Sequence, residues 1–217
     1  TYNGSLTPGQ SDTLTVTFNG NTAGNYSSNL TLNISGSFSG TNIIPVTGIV
    51  LSDLINFSEG FDASLQLPAH WNKLNASSVA GFDVTIANSP ADAHSAPNAA
   101  KMFNATDLTS SLILITPGAT SFNSNTLVFW AKTTGVASQN LHIGLMDDPY
   151  DPTSFVATQT VQLTQTYTEY SITFNASNTK PYLAFKHGNG TPNTTIWIDD
   201  VVWDKPIPNN PPLPALA

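Results

Sequence analysis

Seven runs of six to ten residues, rich in β-branched and aromatic side chains and separated by Gly, Asn and Pro, predict an all-β chain built as an antiparallel β-sandwich. Two further observations agree. No stretch carries a sustained helical period with caps. Charged residues make up only 9% of the chain, and Ser, Thr and Asn fill the solvent-facing positions instead.

From the N-terminus, Thr13–Phe18 (TLTVTF) and Asn29–Ile34 (NLTLNI) alternate polar with apolar residues, and Asn42–Val50 closes the set. Pro8-Gly9, Asn19-Gly20 and Ser39-Gly40 supply the turns. Three or four strands leave sheet edges open, so residues 1–51 read as part of a domain. The start at Thr1 falls inside this patterned region, and the chain is expected to be a piece of something longer. Leu51–Leu54 is the hinge into a second unit, residues 52–204, which opens with Leu54–Phe57, the turn Ser58-Glu59-Gly60 and a loop around Pro68 and Trp71. The seven clear strands follow: Ser111–Thr116, Thr126–Lys132, Asn140–Met146, Phe155–Leu163, Tyr167–Phe174, Pro181–Lys186 and Thr194–Trp203. Residues 205–217, with five prolines between Pro206 and Ala217, form a semi-rigid linker expected to join a further module covalently.

A chain of 217 residues is long enough to bury a real core without disulfides, and it has no cysteine. Its net charge of −8 and pI near 4.5 argue against nucleic acid or an anionic membrane surface as partner. No apolar run approaches the length that spans a bilayer. The hydroxyl- and amide-rich composition is that of a secreted or cell-surface protein.

The last strand carries the first candidate site. Strict alternation puts Ile196, Ile198, Asp200 and Val202 on one face and Trp197, Asp199, Val201 and Trp203 on the other. An aspartate in line with three aliphatic side chains faces the core or its rim, where an unpaired charge is costly. Arginine is absent and lysines number only six, so a bound cation is the natural partner. Glu59 and Asp200, with Asp199 nearby and backbone carbonyls from His94–Ala96, would offer calcium the hard oxygens it takes, in a structural role. The alternative is that these carboxylates cap turns or accept backbone N–H bonds at the sandwich rim.

The second candidate is the loop Asp147–Ser154 (DDPYDPTS), where Tyr150 would act as a sugar platform with Asp148 and Asp151 as hydrogen-bonding partners. The same residues suit a second calcium, or a solvated hairpin end with turn-forming Asp and Pro. Trp71 and His187 complete the candidate ligand set, each against a plainer alternative: Trp71 as the plug of one sandwich end, His187 as an exposed or capping side chain. Trp130 and Trp197 lie inside strands, where aromatics usually pack a core. The four histidines show no zinc spacing. There is no GxSxG elbow, no phosphate-binding glycine loop and no cysteine nucleophile, and the only two glutamates are Glu59 and Glu169.

The spacing LTPGQSDTLTVTFNGNTAGNYSSNLTLNISG…IPVTGIV resembles the last half of the immunoglobulin-like repeats of bacterial surface proteins. From about residue 55 to 204, the motifs FSEGF…LPAHW, SAPNAAKMFN, TLVFWAKTTG, LHIGLMDDPYDPTSF, YLAFKHGNG and IWIDDVVW follow one another in order. In that order they resemble the jelly-roll module called choice-of-anchor J, which is similar to cleaved-adhesin and MAM-like domains. The resemblance implies a jelly roll related to carbohydrate-binding modules, without catalysis, and a structural calcium between a glutamate near the first strand and the aspartate of the last. It also implies that the DPYDP loop is a family feature. The chain departs from the pattern at Trp71–Asn75, where the family often carries an Asp-rich stretch, so a second metal site there does not carry over.

Together these readings lead to a non-catalytic extracellular binding module of a larger bacterial secreted or cell-surface protein, with a glycan or polysaccharide as ligand and calcium as structural ion. The alternative is an adhesion or spacer module that binds protein partners or neighbouring domains; a hydrolase or lyase is the weakest reading.

Overall fold

The computed structural model describes residues 24–31, 43–50, 57–119, 122, 126–135, 138–174 and 179–203. The chain divides into two compact units, Thr1–Val50 and Leu51–Ala217. In the first unit, β1 (Gly24–Thr31) pairs antiparallel with β2 (Ile43–Val50) along its whole length, from Gly24 opposite Val50 to Thr31 opposite Ile43. β1 starts earlier than the alternating NLTLNI run suggests, because the eight-residue apolar partner β2 extends the ladder back through Tyr26. The strand expected at Thr13–Phe18 lies outside the described residues, as does the rest of the immunoglobulin-like segment.

The second unit is all antiparallel β-structure, folded as a jelly roll. Its strands are β3 (Phe57–Glu59), β4 (Asn72–Asn75), β5 (Asp83–Asn88), β6 (Asn98–Phe103), β7 (Leu112–Ile115), β8 (Thr126–Thr134), β9 (Gln139–Met146), β10 (Val156–Leu163), β11 (Thr168–Thr173), β12 (Tyr182–His187) and β13 (Thr195–Trp203). One sheet runs β10-β9-β12-β7-β4; the other runs β11-β8-β13-β6-β5, with β3 pairing the C-terminal end of β13. The chain crosses repeatedly between the two sheets, which is how a sandwich closes over one core. The seven expected strands of the second unit are all present. Three more, β4, β5 and β6, lie between Gly60 and Ser111, where the sequence predicted only a loop around Pro68 and Trp71.

The core forms where the inner faces meet. Leu112 and Leu114 of β7, Leu127 and Phe129 of β8, Leu183 and Phe185 of β12, and Ile196 and Ile198 of β13 are all fully buried in it. Alternation then assigns the remaining strand residues to the two outer faces. Tyr182, Ala184 and Lys186 point out from the five-stranded sheet; Trp130, Lys132, Trp197 and Asp199 point out from the other.

β13 breaks this alternation once, and the site depends on the break. Asp199 lies opposite Trp130 of β8, but Val202 lies opposite Val128, so three steps along β13 match two along β8. The extra residue is a β-bulge, with Asp200 in the left-handed region at φ 46°. Beyond it the phase is inverted. Val201 and Trp203 enter the core beside Ile196 and Ile198, whereas Val202 is only partly buried. This corrects the expected facing: Asp200 does not share the inner face with the isoleucines, and the fully buried carboxylate is Asp199.

Candidate functional site

The bulge gathers an acidic corner on the outer side of the six-stranded sheet. Asp199 is closed over by the segment that links β5 to β6. Its Oδ2 accepts the backbone N–H groups of His94 (2.8 Å) and Ser95 (3.0 Å), and its Oδ1 accepts that of Asp200 (2.8 Å). Burial raises the Asp199 pKa to about 6; the neighbouring charge of Asp200 pushes the same way, and the three N–H bonds pull against both. With both oxygens occupied by donors, Asp199 anchors a loop, the role the backbone-accepting alternative assigned to it.

Asp200 turns the other way out of the bulge. Its Oδ1 accepts the Ser95 hydroxyl at 2.8 Å, and its Oδ2 lies 2.6 Å from His94 Nδ1. The His94 ring stacks on Trp130 at 3.9 Å between centroids and 12° between planes, with Tyr167 edge-on at 5.3 Å. Tyr167 donates its hydroxyl to the Asp92 carbonyl at 2.6 Å, and burial first, then the charges of Asp199 and Asp92, hold its phenol well above the usual range. Lys132 meets the Asp92 carboxylate at 3.1 Å with its ammonium 5.0 Å from the Tyr167 ring. The loop is thereby fixed at several points.

Directly beside it, β3 runs antiparallel to β13 with Glu59 opposite Val201. Glu59 Oε1 accepts the Phe61 N–H at 2.6 Å, and Asp62 Oδ1 accepts that of Asn98 at 3.1 Å. Between them, a Cβ added to Gly60 would stand 3.3 Å from Asp200 Oδ1, 3.5 Å from Ser95 Oγ and 3.6 Å from Asp62 Oδ2. Three hard oxygens therefore converge on a glycine whose missing side chain leaves the space open. That donor chemistry fits calcium, which takes carboxylate, hydroxyl and carbonyl oxygens. Among the described residues no group of three or more His, Cys, Asp or Glu side chains is placed to hold a metal, so further oxygens would have to come from carbonyls or water. Asp62 was missed in the sequence, and Ser95 was included only through the carbonyls of His94–Ala96, not through its hydroxyl. The legible signal for Asp62 was its place three residues after Glu59 in the same turn; nothing local marked the Ser95 hydroxyl.

The loop of the second candidate site lies at the five-stranded sheet. Asn72 Nδ2 donates to the Pro149 carbonyl at 3.0 Å, tying the loop to β4 at the sheet edge, and Lys180 pairs with Asp147. Asp148 Oδ1 accepts the Tyr150 N–H at 2.8 Å. Asp151 caps the 3-10 turn Pro152–Ser154, its Oδ1 accepting the Thr153 N–H at 2.8 Å, and its hydrogen bonds to Thr153 hold its pKa below the usual range. These two aspartates thus shape the loop, as turn chemistry predicts. Tyr150 is different. Its side chain is 56% exposed, and its phenol and Asp148 lie near enough to the Tyr182 hydroxyl to help burial push that pKa up to about 12. Phe155 leaves the loop across Gly144 of β9, where an added Cβ would come 2.9 Å from its Cζ and would overlap the Val156 carbonyl.

Two members of the candidate ligand set are not on a surface. Trp71 is 7% exposed and packs edge-on against Phe57 (5.9 Å) and Phe61 (5.1 Å), so it plugs the core and offers no platform. His187 is 1% exposed because β12 runs one residue further than expected and turns this side chain inward. Its Nδ1 accepts the Asn189 N–H at 2.9 Å, and burial lowers its pKa to about 4, leaving a neutral structural imidazole.

No protein-family model matches the chain, and no curated protein matches its sequence. Solved structures do match. The K1 cleaved adhesin domain of Lys-gingipain from Porphyromonas gingivalis W83 aligns with a TM-score of 0.56 at 22% identity, over 68% of this chain and 96% of that one. The K2 cleaved adhesin domain of Lys-gingipain gives 0.57 at 16% identity, over 69% and 97%. The K3 domain from strain w83 gives 0.55 at 21%, over 68% and 95%. At these identities the likeness is one of fold: the second unit is a jelly roll of the cleaved-adhesin kind.

Proposed function

We propose that this chain is a non-catalytic binding module of a larger extracellular protein, with a glycan as ligand and calcium as a structural ion. Tyr150 carries the reading. Among the described residues of the jelly roll it is the most exposed of the Phe, Tyr and Trp side chains, at 56%, and it lies near Asp148 and the Tyr182 hydroxyl. An aromatic ring flanked by oxygen acceptors suits the apolar face and the hydroxyl edge of a sugar. Calcium would be held by oxygens of Asp200, Asp62 and Ser95 around Gly60, with carbonyls or water completing the shell, Glu59 shaping the β3 turn and Asp199 positioning the loop; the ion would supply the positive charge that links β3 to the bulge. Asp148 and Asp151 serve the loop, and Trp71 and His187 the core.

One catalytic arrangement, a pair made of the two glutamates, is not formed. Glu59 on β3 and Glu169 on β11 are separated by β13 and β8. Three strand spacings of about 4.8 Å put them roughly 14 Å apart, wider than the carboxylate pairs of glycosidases. Among the described residues no helix is long and apolar enough to cross a membrane.

The test is a calcium-containing binding screen of the full chain against polysaccharides, with titration of each hit. Saturable binding abolished by Tyr150→Ala, in a variant that still melts cooperatively, supports the reading. Binding indifferent to that substitution removes Tyr150 as its basis, and a blank screen with folded protein overturns the glycan. A protein ligand is then the second reading. It is favoured by Ile43 and Ile44, exposed at 46% and 43% on β2, and by the adhesin fold of the second unit.

A further inference from the structure

At one end of the jelly roll, alternation carries the inner faces of five strands past their last apolar residue onto a polar one. β8 passes from Ala131 to Thr133, β12 from Phe185 to His187, and β6 from Met102 to Asn104 just beyond its end. β9 starts on Gln139 ahead of Leu141, and Thr194 precedes β13 two residues ahead of Ile196. All five polar residues are at most 2% exposed. A polar layer closed off from water has to satisfy itself, since each buried group left unpaired is costly.

Most of it does. The Thr133 hydroxyl donates to the Thr195 carbonyl at 3.2 Å, and Gln139 Nε2 donates to the Asn140 carbonyl at 3.2 Å. Asn104 accepts the Thr194 N–H at 2.9 Å and donates to the Thr191 carbonyl at 2.7 Å. Three atoms remain. His187 Nε2, Asn189 Oδ1 and Thr194 Oγ1 are buried and meet no hydrogen-bond partner among the described residues. The only other such atoms among those residues are the indole nitrogens of Trp197 and Trp203.

The three belong together. The Asn189 N–H donates to His187 Nδ1 at 2.9 Å. The Asn189 side chain and the Thr194 backbone lie close enough to the ring to favour its charged form against burial, yet neither meets Nε2 in bonding geometry. Their hydrogen-bonding roles are set. A neutral imidazole that accepts at Nδ1 carries its proton on Nε2, so Nε2 is a donor. Asn189 Nδ2 donates to the Ser110 carbonyl at 2.6 Å, which leaves Oδ1 as an acceptor. The Thr194 hydroxyl can do either. One donor, one acceptor and a hydroxyl complement water, whereas a cation would face the Nε2 hydrogen. Room lies beside Thr194: a Cβ added to Gly135 would stand 3.9 Å from its Oγ1 and 3.5 Å from the Asn193 carbonyl oxygen, ordinary contact distances.

We infer that one water molecule is a fixed constituent of this end of the jelly roll, accepting the His187 Nε2–H, donating to Asn189 Oδ1 and bonding the Thr194 hydroxyl. It ties the end of β12 to the start of β13 and exchanges with solvent only when the segment between them, residues 188–194, opens.

The test is a crystal structure of the full chain at a resolution that shows ordered water, together with oxygen-17 relaxation dispersion of the solvent, which counts long-lived waters. A density peak within hydrogen-bond distance of all three atoms is expected. His187→Phe, which removes the donor, should lose one long-lived water, and so should Thr194→Val, whereas Thr194→Ser should keep it. Direct pairing of Nε2 with Asn189 Oδ1 or the Thr194 carbonyl, with no peak between them, would overturn the inference. So would an unchanged count in whichever of the two depleted variants folds, or a long-range proton–nitrogen-15 spectrum that shows the His187 proton on Nδ1.

Discussion

Two buried groups in the jelly roll titrate in the same window with opposite effects on stability, and separating them tests both environments. His187 has a pKa of about 4 in the folded chain against 6.5 when free. Its neutral form contributes stability that is present above 6.5 and is lost as pH falls towards 4. Asp199 has a pKa of about 6 against 3.8. Its contribution is present below 3.8 and is lost as pH rises through 6. The differences are 6.5 − 4 = 2.5 and 6 − 3.8 = 2.2 units, and at about 1.36 kcal/mol per unit each spans about 3 kcal/mol. In a domain of ordinary stability either would dominate the acid limb, yet together they nearly cancel.

The perturbation is His187→Asn, which keeps an acceptor near the position of Nδ1 for the Asn189 N–H and removes the titration. Urea denaturation in chelator at pH 7.0, 5.5 and 4.5 is the assay. Whatever the substitution costs at pH 7, the variant should regain about 2 kcal/mol relative to wild type by pH 4.5, because only the Asp199 contribution remains. Asp199→Asn should lose a similar amount relative to wild type over the same interval. A His187→Asn difference that stays constant from pH 7.0 to 4.5 would refute the reasoning, since the imidazole would then not be held neutral by burial.

Four further outcomes are expected. Chelation should lower the melting temperature at matched ionic strength, an ion at a hundred times its Kd adding about 2.7 kcal/mol by mass action, and Asp200→Asn should remove that sensitivity; an unchanged melt sinks the calcium. Gly144→Ala drives a methyl into the Val156 carbonyl and the Phe155 ring, and should cost about 1–3 kcal/mol in urea denaturation. Asp151→Ala removes the cap of the 3-10 turn and should cost about 1 kcal/mol in the same assay without altering calcium affinity. Trp71→Ala should cost about 3–5 kcal/mol, whereas Trp71→Phe should fold and bind glycan as wild type, because the ring fills the core and touches no ligand.

The strands legible in the sequence are those whose surroundings are simple. β7 to β13 each carry β-branched or aromatic residues bounded by turn residues, and each appears near its expected place. β6 was hidden because Asn98–Phe103 is rich in alanine, and Ala99 and Ala100 are buried on opposite faces without alternation. β5 was not hidden: Val84 and Ile86 alternate with Asp83 and Thr85, a legible pattern that was not singled out as a strand. β4 is four residues long and mostly polar, held by pairing with the buried β7, which no local signal reports. The acidic corner was half legible. Two adjacent carboxylates in an apolar strand marked the place, but Val201 and Val202 suit either face equally, so the phase change was invisible. Asp62 and Ser95 reach the same place through backbone paths that only the fold reveals.

The bulge in β13 also constrains how this chain can change in length. Removing one residue at Asp199 or Asp200 would leave two steps along β13 against two along β8, so Val201 and Trp203 would keep their place in the core while the left-handed bulge that turns Asp200 towards Gly60 would be lost. The oxygen cluster at Gly60 therefore depends on one extra residue that the aromatic packing of Trp203 against Phe122 and Phe174 does not need. Point substitutions can erase the carboxylates one at a time and leave the strand in register. A one-residue deletion at the bulge keeps the register beyond it as well, but it dismantles the acidic corner in one step while sparing the closing hydrophobic contacts of the sandwich.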